Sequence, residues 1–555
     1  MLARVKLLEP ELPLCAALAA VLTLAGFLAQ AHLGLAPQEE GYLWYGVEAV
    51  ARGEWPMRDF RSYDPGRYLW CAAWEHVFGH GILGLRAACA TFAWLGLTAG
   101  LLVARRVVPS RSWLVPAGLV IALWQFPGWR PFESGLSSMA TYLALRLVER
   151  PSARRSFVCG LFVGVAAFFG RNHGLYAAVA FALVHVVALV GGRAARGAES
   201  DGPAARGAGL DGSAARGAGL DDATPSSTRP SPRELLARLA SLVGGTVLGY
   251  APMLALIAFV PGFARAFVDS VLFFVGRSDL NIPYPATWPW TIDAARLAGV
   301  ELAAAIALSA VFVLYVAGYA LAGVVALRGR LGSVLRTPAI VAAFCVGLPY
   351  VHHVSERSDI HHVAESVHPL LLAVLALAAA AATKRPKLAS GVALAALLAI
   401  SVLAIGTEHP LGKRLLARGT PREFVAFDAR GTELSIDGVV AQRLAAVRAR
   451  VEREVPRDDA VLFSTKPLVL YPLLGRRAPV WDVYPSWKAD AQYEQRMLDE
   501  LSTVDWAFLQ DLPVGGVEEK RFANTYPAVW RRLQQDYDRI ATPELPENFL
   551  FLHRR

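Results

Sequence analysis

Long apolar runs separated by short polar connections dominate the first 406 residues of the chain. Several runs reach the ~20 residues that an α-helix needs to cross a hydrocarbon core about 30 Å thick. The pattern therefore predicts an all-α, polytopic membrane domain over 1–406, with about eleven spanning helices. The predicted spans lie at about 11–32, 83–104, 112–128, 132–148, 156–170, 174–192, 235–258, 296–327, 337–350, 367–382 and 388–406.

The hydrophobic pattern changes at about residue 407 and becomes that of a water-soluble domain. The segment "VVAQRLAAVRARVEREV" has the periodicity of an amphipathic helix, and "AVWRRLQQDYDRI" predicts a second helix. Two short apolar runs, "DDAVLFST" and "VDWAFLQDL", predict buried strands. We therefore expect a small α/β domain over 407–555. Its sequence carries no nucleophile constellation, Gly-rich phosphate loop or metal-ligand spacing.

Basic residues between the apolar runs predict the orientation of the chain. Clusters of Lys and Arg occur at alternate connections, beginning at Arg4, Arg105, Arg150, Arg193, Arg328 and Lys384. Cytoplasmic loops carry such an excess of basic residues, and all these clusters lie on one side if about eleven spans are present. The amino terminus is then inside, and 407–555 is an extracytoplasmic domain on the bacterial cytoplasmic (inner) membrane.

Composition agrees with a membrane protein, because 55% of the residues are hydrophobic and only 18% are charged. The net charge of +9 would otherwise suggest a nucleic-acid partner. The basic residues instead lie in short clusters between apolar runs, so we expect no nucleic acid among the partners. The five cysteines are scattered, mostly within apolar runs, and have no disulfide or metal spacing.

Residues 193–234 form a stretch of biased composition in which the unit "AARGA" recurs every ten residues. Gly, Ala, Ser and Pro with balanced charge bury too little apolar area to offset the entropy lost on ordering. The sequence therefore predicts a disordered cytoplasmic linker without chemistry of its own.

Polar residues concentrate in three segments predicted to face outward, at 36–66, 259–292 and 351–368. The first holds the adjacent carboxylates Glu39 and Glu40, and the last, "VHHVSERSDIHHVAESVH", is rich in histidine. Paired histidines can ligate a divalent metal, although no Cys or HExxH pattern supports a zinc site. A cationic pocket for phosphate is an equal interpretation, because Arg and His give charge-assisted hydrogen bonds. A solvated loop with incidental histidines is the third.

Two pairs of predicted helices are short and turn back through brief polar connections such as "RNHG". A helix of ~15 residues rises only ~22 Å, which is too little to cross a whole bilayer comfortably. The short pairs leave room for a cavity open to the outer leaflet, with Arg171 and His173 directed into it. A snorkelling Arg at a tight turn is an equal interpretation.

The stretch "EEGYLWYGVEAVARGEWPMRDFRSYDPG" carries an acidic pair, then Tyr, then G-x-x-P-x-x-D-F and P-G, with F-G and an Arg downstream. The residues of this pattern are Glu39-Glu40, Tyr42, Gly53, Pro56, Asp59-Phe60, Pro65-Gly66, Phe78-Gly79 and Arg86. The pattern resembles the first outer loop of bacterial GT-C glycosyltransferases. These are the multi-span lipid-linked-sugar transferases related to protein O-mannosyltransferases and aminoarabinose transferases. The later segment "RSDIHH" is similar to an Arg/Asp/His stretch that often precedes a late helix in this group.

The resemblance implies transfer of a sugar from a polyprenyl-phosphate donor to a hydroxyl of a glycan, lipid or protein acceptor. The reaction would occur at the outer face of the membrane by a single displacement with inversion. Glu39 would be the general base, and Glu40 its supporting neighbour. The family usually has Asp at the first position, so Glu39 departs from the pattern by one methylene, which displaces its carboxylate by about 1 Å.

Further residues are candidates for binding substrate, chiefly the phosphate that leaves. They are Asp59, Arg171, His173, Arg357, Asp359, His361 and His362. No cofactor is certain, a divalent metal stays open, and membrane lipid is a partner. Two alternatives remain: an O-antigen polymerase or ligase, and a non-catalytic transporter of lipid-linked sugars. A transporter would favour an inverted repeat, which the sequence does not show.

Overall fold

Residues 9–200, 231–275, 284–327, 338–381 and 385–555 are described by the structure, a computed structural model. The helices of the membrane domain are α1 (Leu12–Gln30), α2 (Glu39–Ala51), α3 (Gly66–Phe78), α4 (Ile82–Arg105), α5 (Leu114–Leu123), α6 (Pro131–Glu149), α7 (Ala153–Phe169), α8 (Arg171–Ser200), α9 (Pro232–Gly249), α10 (Ala251–Phe259), α11 (Phe263–Val275), α12 (Gly299–Leu327), α13 (Pro338–Glu356), α14 (Ile360–Ser366), α15 (His368–Ala381) and α16 (Pro386–Gly406). Most of the predicted linker 193–234 lies outside the described residues, although α8 continues to Ser200 and α9 begins at Pro232.

Each predicted span coincides with one or two of these helices. Within the described residues, 6 helices are long and apolar enough to cross a membrane, or up to 8 if each bent pair is one span. The bent pairs are α9 with α10, at 49°, and α14 with α15, at 60°. These helices and the small carboxyl-terminal sheet domain confirm the predicted fold class. The count of eleven stays a prediction.

The helices α7 and α9 pack backbone to backbone. α7 carries Gly160 and Gly164, and α9 carries Gly245 and Gly249, so each pair lies on one face of its helix. A Cβ added at Gly160 would lie 1.9 Å from the carbonyl oxygen of Leu242. Small residues at this spacing let membrane helices approach closely, and a larger side chain would force the two apart.

Within the first polar segment, 36–66, residues Glu39–Ala51 form the helix α2, which the sequence analysis did not predict. α2 begins at Glu39 and is apolar on nearly every side, with Trp44 and Val47 fully buried. A helix that is hydrophobic all round must be covered on all sides. Here the membrane helices cover one side and the carboxyl-terminal domain covers the other.

The carboxyl-terminal domain contains two sheets. β1 (Phe424–Asp428) pairs antiparallel with β2 (Glu433–Asp437), and β3 (Val461–Ser464), β4 (Trp506–Gln510), β5 (Tyr537–Ile540) and β6 (Phe549–Arg554) form a sheet in the order β3-β4-β6-β5. Its helices are α17 (Pro410–Leu416), α18 (Gly438–Glu454), α19 (Leu470–Leu474), α20 (Ala491–Glu500), α21 (Phe522–Thr525) and α22 (Pro527–Asp536). The predicted helix "AVWRRLQQDYDRI" ends at Asp536, because the residues that follow pair with β6 as strand β5.

The carboxyl-terminal domain packs directly on α2. A Cβ added at Gly41 would lie 2.4 Å from the backbone nitrogen of Val469, whose N–H donates to the carbonyl of Pro37 at 2.8 Å. The backbone N–H of Arg61 donates to the carbonyl of Trp481 at 2.7 Å. The carboxyl-terminal domain therefore covers segment 36–66 and forms one wall of any cavity that this segment lines.

Candidate active site

Glu39 and Glu40 are the first two residues of α2. Consecutive residues on a helix point ~100° apart, so the two carboxylates face different surroundings. The Glu40 side chain is 1% exposed, whereas that of Glu39 is 34% exposed. The helix geometry thus separates a buried carboxylate from an open one.

The buried carboxylate, Glu40, is held by Arg86. Arg86 Nε donates to Oε1 at 2.7 Å and Nη2 donates to Oε2 at 3.0 Å, while the N–H of Ala36 donates to Oε2 at 3.1 Å. Arg86 also donates to the carbonyls of Ala31 and Gly34, at 2.6 and 2.8 Å, where the chain leaves α1. Both oxygens of Glu40 are engaged in fixing α2 to the end of α1, which leaves Glu40 poorly placed to take a proton from a substrate.

A large, mostly apolar cavity of about 1010 Å³ lies on one side of Glu39. Its walls come from α1, from the end of α5 and from the segment that follows α16. His361 lines this cavity with its ring stacked on Phe126, the centroids 5.2 Å apart. Nδ1 of His361 is buried without a hydrogen-bond partner. Most of its lining is apolar, which suits a long apolar chain, although several ionisable side chains, Glu40 and Arg86 among them, also line it.

A smaller, polar cavity of about 360 Å³ lies on the other side of Glu39. Its basic and imidazole side chains are Arg67, Arg130, His173, His352, His353, Arg357, His362 and Lys520. Its carboxylates are Glu39, Asp64, Glu133 and Glu365. So many ionisable groups around one cavity are typical of a site for a charged ligand.

Only three of the described residues line both cavities. They are Gln38, Glu39 and Trp129. Glu39 is the one carboxylate of this set, so it stands where the apolar and polar spaces meet.

Arg130 lies between Glu39 and Glu365 in the wall of the polar cavity. Its Nη1 lies 3.0 Å from Oε1 of Glu365 and 3.6 Å from Oε2 of Glu39. Burial lowers the pKa of Arg130, but the carboxylates of Glu365, Glu39 and Glu133 together outweigh that effect and hold its pKa well above the ordinary value. Arg130 is therefore a permanent positive charge in the cavity.

Asp359 organises the histidine-rich segment. It caps α14 by accepting the backbone N–H groups of His361 and His362, at 3.0 and 3.3 Å. Its other oxygen accepts from Arg357 Nε at 2.7 Å and lies 2.9 Å from Nδ1 of His362. Burial raises the pKa of Asp359, but His362, Arg357 and His361 together hold it well below the ordinary value. Asp359 positions its neighbours and does not line either cavity.

The structure brings only some of the predicted substrate-binding residues to the polar cavity. His173, Arg357 and His362 line it, with Nδ1 of His173 3.0 Å from the hydroxyl of Tyr350. His361 lines the apolar cavity instead.

Besides Asp359, two other predicted substrate-binding residues, Asp59 and Arg171, lie apart from both cavities. Asp59 accepts from Arg58 and from the N–H of Trp55, so its carboxylate holds a local turn. Arg171 donates through its backbone N–H and its Nε to Asp64, at 2.9 and 3.0 Å. Arg171 therefore positions a cavity carboxylate and is not itself in the wall. Local sequence could not show the pairing of Arg171 with Asp64, because the two residues are 107 positions apart in the chain.

Sequence reasoning missed several residues of the polar cavity. Arg130 and Glu133 lie in "WRPFES", where the only local signal is a charged turn between two short apolar runs. Arg67 pairs with Glu133, with Nη1 3.2 Å from Oε1. His353 and Glu365 belong to the histidine-rich segment but were not singled out within it, and His353 Nε2 lies 2.6 Å from Glu365 Oε2.

The carboxyl-terminal domain also contributes to the polar cavity, a role that its sequence did not indicate. Its residues in the wall are Tyr484, Ser486, Trp487, Val514 and Lys520. Gln38 Nε2 donates to the hydroxyl of Tyr484, which ties this wall to the residue just before Glu39. Burial raises the pKa of Tyr484 far above its ordinary value, so the phenol stays neutral.

No family model and no curated protein matches the chain. Among solved structures, it is similar to ArnT from Cupriavidus metallidurans bound to undecaprenyl phosphate, at 12% identity and TM-score 0.46, over 98% of both chains. It is also similar to the Archaeoglobus fulgidus oligosaccharyltransferase in complex with Zn and sulfate, at 12% identity and TM-score 0.46, over 90% of this chain and 67% of that one. Both neighbours are of the GT-C type to which the sequence pattern was likened. With TM-scores below 0.5, the similarity assigns no activity to this chain.

Proposed function

We propose that the protein transfers a sugar from a polyprenyl-phosphate donor to an acceptor hydroxyl at the outer face of the cytoplasmic membrane. Glu39 takes the proton of that hydroxyl as its oxygen attacks the anomeric carbon. The bond between the anomeric carbon and the phosphate oxygen breaks in the same step, with inversion, and polyprenyl phosphate leaves.

The observation that carries this proposal is the position of Glu39 between two unlike cavities. A polyprenyl-phosphate sugar joins an apolar chain to a polar head, so it needs both kinds of surroundings side by side. Of the carboxylates that the structure describes, Glu39 alone lines both cavities. A base at this junction lies near the bond between the lipid phosphate and the sugar.

Cationic groups around the polar cavity support the departure of a phosphate. Arg130 lies next to Glu39, and Arg67 and Arg357 line the same cavity. Donors fixed in advance around developing negative charge stabilise a transition state without reorganising, and they do so best where water is excluded. The Arg67 residue is only 7% exposed, so most water is excluded from it.

The choice of Glu39 over Glu40 follows from their partners. Arg86 engages both oxygens of Glu40, whereas the nearest cation to Glu39 is 3.6 Å away and is shared with Glu365. A general base needs a lone pair directed at the substrate's proton. Glu39 meets that requirement, and Glu40 holds the helix that carries it.

The test is transfer from labelled undecaprenyl-phosphate hexoses and pentoses by the full chain in detergent, with a bacterial envelope lipid and glycan fraction as acceptor. We expect one donor to be used, and Glu39→Gln to lower its transfer ~100- to 10,000-fold, as is typical for loss of an acid–base group. Glu54→Gln is the matched control, because Glu54 pairs with Arg52 outside both cavities. Equal transfer by the wild type and Glu39→Gln would contradict the assigned base, and no transfer from any such donor would contradict the function.

A further inference from the structure

Three side chains in the wall of the polar cavity converge on one point. His353, His362 and Glu365 each offer a ligand atom, and these atoms all lie within 4.8 Å of one another. His362 and Glu365 are buried, His353 is half-buried, and all three line the cavity. Two imidazoles and a carboxylate at this separation are a ligand set for a divalent transition metal.

The helix break after α13 creates the cluster. His353 lies in the last turn of α13, and Asp359 begins the seven-residue helix α14. His362 and Glu365 lie three residues apart on α14, so they share one face of that helix. Both side chains are thereby turned toward His353.

A carboxylate behind His362 fixes the orientation of its ring. Asp359 Oδ2 lies 2.9 Å from Nδ1 of His362, while Oδ1 is held by two backbone N–H groups. Nδ1 of His362 therefore carries the proton, and Nε2 is left with its lone pair. Metal-binding histidines nearly always have such a carboxylate or carbonyl on the second nitrogen, which fixes the tautomer and raises ligand basicity.

Glu365 retains capacity for a ligand despite its neighbours. Its Oε2 lies 2.6 Å from His353 Nε2, and its Oε1 lies 3.0 Å from Arg130 Nη1 but makes no hydrogen bond there. The side chain is 1% exposed, and Arg130 gives Oε1 a counter-charge without a hydrogen bond, so this oxygen keeps lone pairs for a further partner. A metal ion between the two histidines and Glu365 would occupy one of them.

We propose that His353, His362 and Glu365 bind one divalent metal ion of the zinc type. Two histidines, one carboxylate and an open position toward a cavity form the arrangement in which a metal accepts an oxygen of a substrate. Because all three side chains line the polar cavity, an open position on the metal would face it, and a phosphate oxygen of the donor would complete the coordination. That last role rests on the proposed function, whereas the metal site itself does not.

The experiment measures metal on the full chain in detergent, after removal of bound metal with a chelator and readdition of Zn²⁺ or Co²⁺. We expect about one ion per chain, a Co²⁺ absorption spectrum typical of nitrogen and oxygen ligands, and a Tm raised by Zn²⁺. His353→Gln combined with His362→Gln should lose the ion and the Tm shift. His352→Gln, beside the cluster but outside it, should keep both.

Glu365→Gln tests the site even if the double variant does not fold, because it alters only one ligand atom. It should weaken Zn²⁺ binding at least tenfold and change the Co²⁺ spectrum. Wild-type protein that takes up no stoichiometric metal, or a double variant that keeps it, would overturn the proposal. Either result leaves the transfer assay on Glu39 unaffected, so failure of the metal site and failure of the transferase function are distinguishable.

Discussion

Arg61 of the first outer segment and Asp482 of the carboxyl-terminal domain form a buried ion pair, with side chains 8% and 3% exposed. The Arg61 guanidinium also lies between the rings of Phe273 and Trp487, 4.1 and 4.4 Å from their centroids. Burial lowers the pKa of Arg61, but Asp482, together with Tyr526 and Tyr42, outweighs that effect, so the net shift is upward. This pair couples the domain to the segment that carries Glu39.

Asp482→Asn should destabilise the protein by about 3–5 kcal/mol, because it leaves a buried guanidinium without its counter-charge. Thermal unfolding in detergent measures the effect. Asp538→Asn is the matched control, since Asp538 pairs with Arg555 at the surface, with side chains 69% and 58% exposed. The control should change stability by at most about 1 kcal/mol. Equal Tm values for the two variants would show that the pair does not hold the domain.

Glu40→Gln should lower stability more than it lowers the chemical step. The amide can accept only one of the two hydrogen bonds from Arg86 and carries no charge. We expect a loss of about 1.5–3 kcal/mol, measured as a lower Tm, with a smaller loss of transfer than Glu39→Gln shows. A Glu40→Gln protein with wild-type Tm and no transfer would instead make Glu40 the base.

His409 should make stability fall at mildly acidic pH. It caps α17 by accepting the N–H of Leu411 through Nδ1, and burial lowers its pKa below the ordinary value of 6.5. A group whose folded-state pKa is depressed gives stability above its unfolded pKa, and that stability is lost as the pH falls. The wild-type Tm should therefore drop below pH 6.5.

His409→Asn replaces this cap with one that does not titrate, so its Tm should fall less over the same pH range. The exposed His76→Asn should follow the wild type. If His409→Asn and the wild type have parallel Tm-versus-pH curves, the cap does not depend on the charge of His409.

Two adjacent glycines of α9 should respond differently to an added methyl group. A Cβ at Gly245 would lie 2.2 Å from the carbonyl oxygen of Phe157 on α7, whereas at Gly244 nothing lies within 4 Å. Gly245→Ala should lower the Tm because the helices must separate, and Gly244→Ala should leave it unchanged or raise it slightly. Identical Tm values for the two variants would contradict the close packing of α7 on α9.

The features that the sequence predicted are those that depend on residues close together in the chain. Each predicted span is helical in the structure, because the length of an apolar run depends on the residues of that segment alone. The helical state of α2 was missed, since its burial depends on the carboxyl-terminal domain, far along the chain. The partners of Arg130 were missed for the same reason. Glu39 and Glu365 approach it only after distant segments pack together.

The measurement that tests the central claim most directly separates donor binding from turnover in Glu39→Gln. The amide keeps the size of the side chain and removes its basicity, so the two cavities should still accept the donor. We predict that Glu39→Gln binds labelled undecaprenyl-phosphate sugar within about threefold of the wild-type Kd, while single-turnover transfer falls ~100-fold or more. Melting temperature and expression level serve as controls. Transfer at the wild-type rate with bound donor would contradict the account, because the carboxylate at the junction of the two cavities would then take no part in the reaction.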